Sequence, residues 1–250
     1  MTKLVLLSGW GIDARIWQPL APYWPDDVEV TTPDWPGYAG QALDEMLAPD
    51  DLAGLGRRMA AALPADAVWV GWSLGGLLAC ALLAHLPAPR TLVMLGTGPR
   101  FCSTEGVTPQ ELGTFQRAFA RNPEATWQHF LRWQLQGEPD ARTAHRRLLD
   151  LIGRKPSASH STLAAGLIQL ATLDVAPILA APPCGVLRMA GQQDPLLSPA
   201  SRHAADVTLG ATGHCPMLTR PDLLADHLVD IAQRTGDGRN ETAGSREEVS

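Results

Sequence analysis

Apolar residues in this chain fall into two patterns that alternate along its first hundred positions. Lys3–Ser8 (KLVLLS) is an unbroken apolar run ended by Gly9, the mark of a strand buried on both faces of a parallel sheet. Val28–Thr32 predicts a second strand, stopped by the turn-rich Pro33-Asp34-Trp35-Pro36-Gly37. Asp51–Leu63 then has helical spacing, and it is followed by a strand at Ala67–Val70, a helix at Leu74–Leu86 and a strand at Thr91–Leu95. Strand, helix and strand joined by short links is the pattern of a parallel sheet, whose strands need crossover connections.

The alternation stops between residues 105 and 170. This stretch is helix-like throughout, with Trp127, Phe130 and Trp133 spaced to share one face. Strand character resumes at Val186–Met189 and briefly at Asp206–Leu209, and an amphipathic helix is predicted over Pro221–Gln233. The expected architecture is an α/β core formed by 1–104 and 171–235, interrupted by a helical insertion at 105–170. Residues 236–250 hold no apolar side chain besides alanine and valine and read as a disordered tail.

Composition narrows the function. The net charge of −6 lacks the basic character of a general nucleic-acid binder. Residues 100–155 nonetheless carry nine Lys/Arg against six Asp/Glu, so the insertion is locally basic on an acidic protein. No run approaches the roughly 20 apolar residues of a membrane span, and the short apolar start is no secretory signal. A cytoplasmic monomer that neither enters a membrane nor binds nucleic acid is expected. Cys80, Cys102, Cys184 and Cys215 are scattered without a CxxC pair and read as free thiols. Neither a metal-ligand cluster nor a GxGxxG after a strand is found, so no metal or other cofactor is expected.

The chemistry concentrates at Gly71-Trp72-Ser73-Leu74-Gly75, a G-x-S-x-G between a predicted strand and a predicted helix. That context identifies a nucleophile elbow, a tight turn that exposes the serine hydroxyl and needs small residues two positions to either side. A hydroxyl is a poor nucleophile until a base takes its proton. The order Ser…Asp…His points downstream to Asp194, just past the strand 186–189, and to His214, in a loop before the last helix. Ser73 is the candidate nucleophile, His214 the base and Asp194 the residue that orients it. His85 and His227 lie in helices, His129, His145 and His160 in the insertion, and His203 ahead of the last strand. Asp174, Asp206 and Asp222 lack a strand-end position. The N–H groups of Leu74 and Trp10 are the candidate oxyanion donors.

Together, LLSGWGIDARIW (6–17), DWPGYAG (34–40), GWSLGG (71–76), AGQQDPLL (190–197) and GATGHCPMLTRPD (210–222) resemble the pimeloyl-[acyl-carrier protein] methyl ester esterases of biotin synthesis. The resemblance covers about residues 3–234. It implies an α/β-hydrolase fold with a helical lid, no cofactor, and hydrolysis of the methyl ester of a pimeloyl chain borne by acyl carrier protein. Substrate contacts would come from Trp10, Ser73, Leu74, His214 and the stretch Phe130, Leu131, Arg132, Trp133 and Gln134. Basic residues of the lid would meet the acidic carrier protein, and Arg142 and Arg146 stand one helical turn apart there. Two features depart from these patterns. Ser8-Gly9 stands where many hydrolases of this fold carry His-Gly in the oxyanion loop, and Ala125 and His129 occupy positions where the family tends to be basic. Alternatives with the same residues are a general short-chain carboxylesterase or lactonase, and a catalytically silent binding protein of the same fold.

Overall fold

The computed structural model describes residues 2–40 and 47–241, with side chains placed through residue 235. Its centre is a six-stranded, wholly parallel sheet built from β1 (Thr2–Leu7), β2 (Val28–Thr31), β3 (Val68–Trp72), β4 (Thr91–Leu95), β5 (Gly185–Gly191) and β6 (Val207–Leu209). The spatial order is β2-β1-β3-β4-β5-β6. β1, β3 and β4 lie inside the sheet, and β3 and β4 are buried along their whole length. Such strands face protein on both sides, which is why they read as continuous apolar runs.

Helices α1 (Leu52–Met59) and α2 (Leu74–Leu82) are both shorter than their apolar spacing predicts. α2 closes with tighter turns through Leu86, because Pro87 disfavours helical backbone at the residue before it. Between β4 and β5 the chain leaves the sheet to form α3 (Pro109–Arg121), α4 (Pro123–Trp133), α5 (Ala141–Ile152), α6 (His160–Thr172) and the short α7 (Ala176–Ala180). Each of the four long helices starts at a side-chain cap: Thr108 with Glu111 in a capping box, Asn122, Asp140 and Ser159.

After β5 come α8 (Pro199–His203), then β6, α9 (Pro216–Thr219) and α10 (Pro221–Glu241). The last helix runs past the expected end at Gln233. Residues 236–241 of the anticipated disordered tail are therefore helical backbone, while 242–250 lie outside the described residues. Once a helix is nucleated each added residue gains a hydrogen bond, so α10 continues beyond its apolar face. The four cysteines are free thiols. Among the described residues, no helix is long and apolar enough to cross a membrane.

The insertion is fastened to the core by polar contacts as well as packing. Asp13, 2% exposed, forms two hydrogen bonds with the Arg15 guanidinium, and Arg15 Nη2 reaches the Ile152 carbonyl at the end of α5 at 2.8 Å. Burial works to raise the Asp13 pKa, but the hydrogen bonds from Arg15 oppose it, and the carboxylate is held below its ordinary value. Arg147 of α5 donates to the Leu218 carbonyl in α9 at 3.1 Å.

The elbow between β3 and α2 depends on backbone proximity. A Cβ on Gly71 would lie 2.5 Å from Gly76 Cα, and one on Gly75 would lie 2.5 Å from the Ser8 carbonyl oxygen. Backbone cannot swing aside as a side-chain tip can. Gly71→Ala is therefore expected to cost about 3 kcal/mol, the upper part of the range for overpacked interiors. The urea midpoint should drop at unchanged m-value; a midpoint equal to that of the parent protein would show that the elbow can relax.

Candidate active site

Four loops meet at the C-terminal ends of the parallel strands, the edge where open α/β sheets place their ligands. They follow β1 (Ser8–Gly11), β3 (Ser73), β5 (Asp194) and β6 (His214). Ser73 stands between the last residue of β3 and the first of α2 with φ 56° and ψ −124°. A non-glycine residue in such a conformation stores about 1–3 kcal/mol of strain. The turn holds because Ser73 N–H donates to the Leu95 carbonyl at 2.8 Å and because Gly71 and Gly75 leave room for it.

His214 and Asp194 form a buried pair. Their closest atoms, Nδ1 and Oδ2, are 2.7 Å apart, and the side chains are 1% and 0% exposed. The other Asp194 oxygen accepts the Leu196 N–H at 2.8 Å, and Arg202 caps the Asp194 carbonyl at 2.8 Å. With both carboxylate oxygens engaged, the acid cannot rotate away from the imidazole. The opposite ring nitrogen, His214 Nε2, is buried and without a partner among the described residues. Gly96 makes the pairing possible: a Cβ there would stand 3.1 Å from the His214 ring and 3.3 Å from Asp194 Oδ2.

The loop Ser8–Gly11 is held by aromatic side chains. Trp35 Nε1 donates to the Ser8 carbonyl, and Trp127 Nε1, from α4, donates to the Gly11 carbonyl, each at 2.8 Å. Gly11 N–H donates to the Tyr38 hydroxyl at 3.0 Å, and burial pushes that phenol up to about 12, so it stays neutral. Trp10 Nε1 reaches up to the Leu163 carbonyl of α6 at 2.8 Å. Four hydrogen bonds thus fix the loop without any contribution from the Ser8 side chain, whose hydroxyl is buried and has no partner among the described residues. Leu74 opens α2, so its N–H has no acceptor within the helix and is available to an oxyanion.

Phe130 and Trp133 of the predicted lid stretch join Trp10 and Phe115 in an edge-on aromatic cluster. Trp10 lies 5.0 Å from Phe130 and 5.7 Å from Phe115, ring centre to ring centre. Gln134 is fully buried, and neither end of its amide has a partner among the described residues. Leu131 is buried outside this cluster, and Arg132 is exposed. Arg142 and Arg146 are exposed on α5, and Arg146 donates to Thr143. Gly9 and Leu74 also line an apolar cavity, walled by Trp35, Tyr38, Leu55 and Leu78. Gly96, Trp35, Tyr38 and Glu138, described below, were missed in the sequence, since their roles come from contacts between distant segments.

The model of the Alpha/beta hydrolase family matches residues 4–227. The chain belongs to that family. Among curated relatives, the pimeloyl-[acyl-carrier protein] methyl ester esterase of Pseudoalteromonas atlantica is 31% identical, with 93% of this chain and 94% of the relative covered. The enzyme of the same name from Vibrio atlanticus is 29% identical over 92% of this chain and 94% of its own. The resemblance read from the motifs therefore extends over nearly the whole sequence. An esterase from Exiguobacterium antarcticum superposes with a TM-score of 0.76 at 16% identity, covering 93% of this chain and 92% of that one, a likeness of fold.

If Ser73 and His214 act as one unit, replacing either with alanine should lower ester hydrolysis by about 10⁶-fold in kcat, and the double variant should be little worse. Steady-state rates on a chromogenic acetate ester check this. Losses that multiply in the double variant would mean that the two side chains act separately.

Proposed function

We propose that this α/β hydrolase is a carboxylesterase that removes the methyl group from the pimeloyl methyl ester carried by acyl carrier protein. The observation that carries the catalytic part is the buried His214–Asp194 pair, whose Nε2 has no partner among the described residues and whose loop is tied by Trp72 to the strained elbow of Ser73. His214 Nε2 takes the hydroxyl proton as Ser73 Oγ attacks the ester carbonyl, and Asp194 stabilises the imidazolium without itself being protonated. The carbonyl oxygen becomes an oxyanion facing the N–H groups of Leu74 and Trp10. Collapse of the intermediate expels the methoxy group, which takes the proton from His214 and leaves as methanol. Water then repeats the cycle on the acyl-serine and releases the free acid. In the resting protein no hydrogen bond joins Ser73 to His214 among the described residues, and such contacts commonly tighten only when substrate binds.

The substrate assignment draws on the names of the relatives and on two features of the insertion, which serves as a lid. Trp10, Phe115, Phe130 and Trp133 offer an apolar wall for a methylene chain, and buried Gln134 holds an amide able to meet a carbonyl or N–H of that chain. An unpaired buried amide costs about 1–3 kcal/mol, which a polar group of the substrate would relieve. Arg142 and Arg146 lie exposed on α5. Partial burial, together with nearby Arg132 and Arg154, lowers the His145 pKa, so several arginines gather around this helix. Such a field attracts an acidic carrier and orients its approach.

Replacing both Arg142 and Arg146 with glutamate should raise KM for the carrier-bound methyl ester about tenfold and leave hydrolysis of a small free ester unchanged. Added salt should weaken only the carrier-bound reaction, since exposed charges are screened over about 8 Å at physiological ionic strength. Equal loss on both substrates would mean that the arginines support the lid itself. If neither changes, and free short esters are cleaved as efficiently as the carrier-bound one, the chain is a general short-chain esterase.

A further inference from the structure

We infer that Glu138 is a positioning residue for catalysis: it fixes the peptide unit that follows His214. This inference rests on the catalytic reading of Ser73, His214 and Asp194 given above. Glu138 lies in the turn between α4 and α5, within the insertion, yet it is only 5% exposed. Oε1 accepts the Cys215 N–H at 2.7 Å and Oε2 accepts the Thr219 hydroxyl at 2.6 Å. The carboxylate therefore spans α9, gripping Cys215 at its N-cap and Thr219, its last residue. Among the described residues it forms no ion pair, so its hydrogen bonds come from neutral donors alone.

The Cys215 N–H belongs to the same peptide group as the His214 carbonyl, and that carbonyl accepts the Trp72 Nε1 hydrogen at 2.8 Å. Trp72 is the residue before Ser73. One peptide plane, immediately after the histidine, is thus held at its oxygen by the nucleophile elbow and at its nitrogen by the insertion. A plane held at both edges cannot rotate, which fixes the backbone from which the imidazole projects. The approach is close along the backbone as well: a Cβ on Gly213 would stand 2.7 Å from the Gly137 carbonyl carbon and 2.9 Å from Glu138 Oε1. Upstream, Gln193 N–H donates to the Thr212 carbonyl, tying this loop to the one that bears Asp194. The insertion therefore does more than cover the site, since one of its turns completes the support of the histidine.

Carboxylate geometry, rather than charge, is what this role requires. Glutamine keeps a carbonyl oxygen for Cys215 N–H and an NH₂ for the Thr219 oxygen, whereas leucine fills the space and accepts nothing. With a small soluble ester, Glu138→Leu should lower kcat about 100-fold, the loss expected for a displacement of about 1 Å at a catalytic group, with KM within twofold. Glu138→Gln should retain at least a third of the parent kcat. Thr219→Val, which removes one arm of the clamp, should lose about three- to tenfold and serves if Glu138→Leu does not fold. A folded Glu138→Leu protein with kcat within threefold of the parent overturns the inference, as does a Gln variant as impaired as the Leu one. If Glu138→Leu does not fold, an unchanged kcat in Thr219→Val overturns it. His214→Ala, assayed alongside, keeps the two readings apart: its inactivity beside fully active Glu138 and Thr219 variants removes the clamp and leaves the triad, whereas its activity removes both.

Discussion

Ser73 occupies a backbone conformation that a side-chain-bearing residue adopts only under constraint, with φ at 56°. Everything else at the site answers to that constraint. Gly71 and Gly75 must lack side chains because backbone passes within 2.5 Å of where a Cβ would be, and β3 must be buried and straight to deliver the turn to the sheet edge. The strain is repaid by α2, which begins at Leu74 and is buried along its length. The hydroxyl is thereby presented beside the first free N–H of a helix, where an oxyanion would form.

Around this turn the protein has assembled supports from segments distant in sequence. Asp194 holds His214 through Nδ1 and leaves Nε2 free. Trp72 grips the carbonyl of His214, while Trp35, Trp127 and Tyr38 grip the loop carrying Trp10. Indole is suited to this work because it buries a large apolar area and donates one directed hydrogen bond. The insertion takes part through Trp127, the Leu163 carbonyl and Glu138. Core and insertion therefore form one polar framework, and a change in the insertion can reach the chemistry without touching substrate.

The parallel sheet was legible in the chain because buried strands leave uninterrupted apolar runs, and all six appear where KLVLLS and its counterparts stand, with ends moved by a few residues. The pairing of Asp194 with His214 was legible from strand ends and chain order. Glu138 was not. A glutamate before Pro139-Asp140 in a turn between helices has the look of a solvated residue, and only the approach of 213–219 buries it. Nor did the sequence around Ser8 reveal that three indoles and a phenol would secure the loop, since residues 10, 35, 38 and 127 meet only through the fold. The final helix exceeded its amphipathic pattern because helix elongation does not need an apolar partner at each turn.

Covalent labelling with a fluorophosphonate, located by peptide mass spectrometry, tests directly whether His214 makes Ser73 nucleophilic. One label per chain is predicted, on the peptide containing Ser73, with labelling slowed at least a thousandfold by His214→Ala. Labelling at another residue, or at an undiminished rate without the histidine, would contradict it.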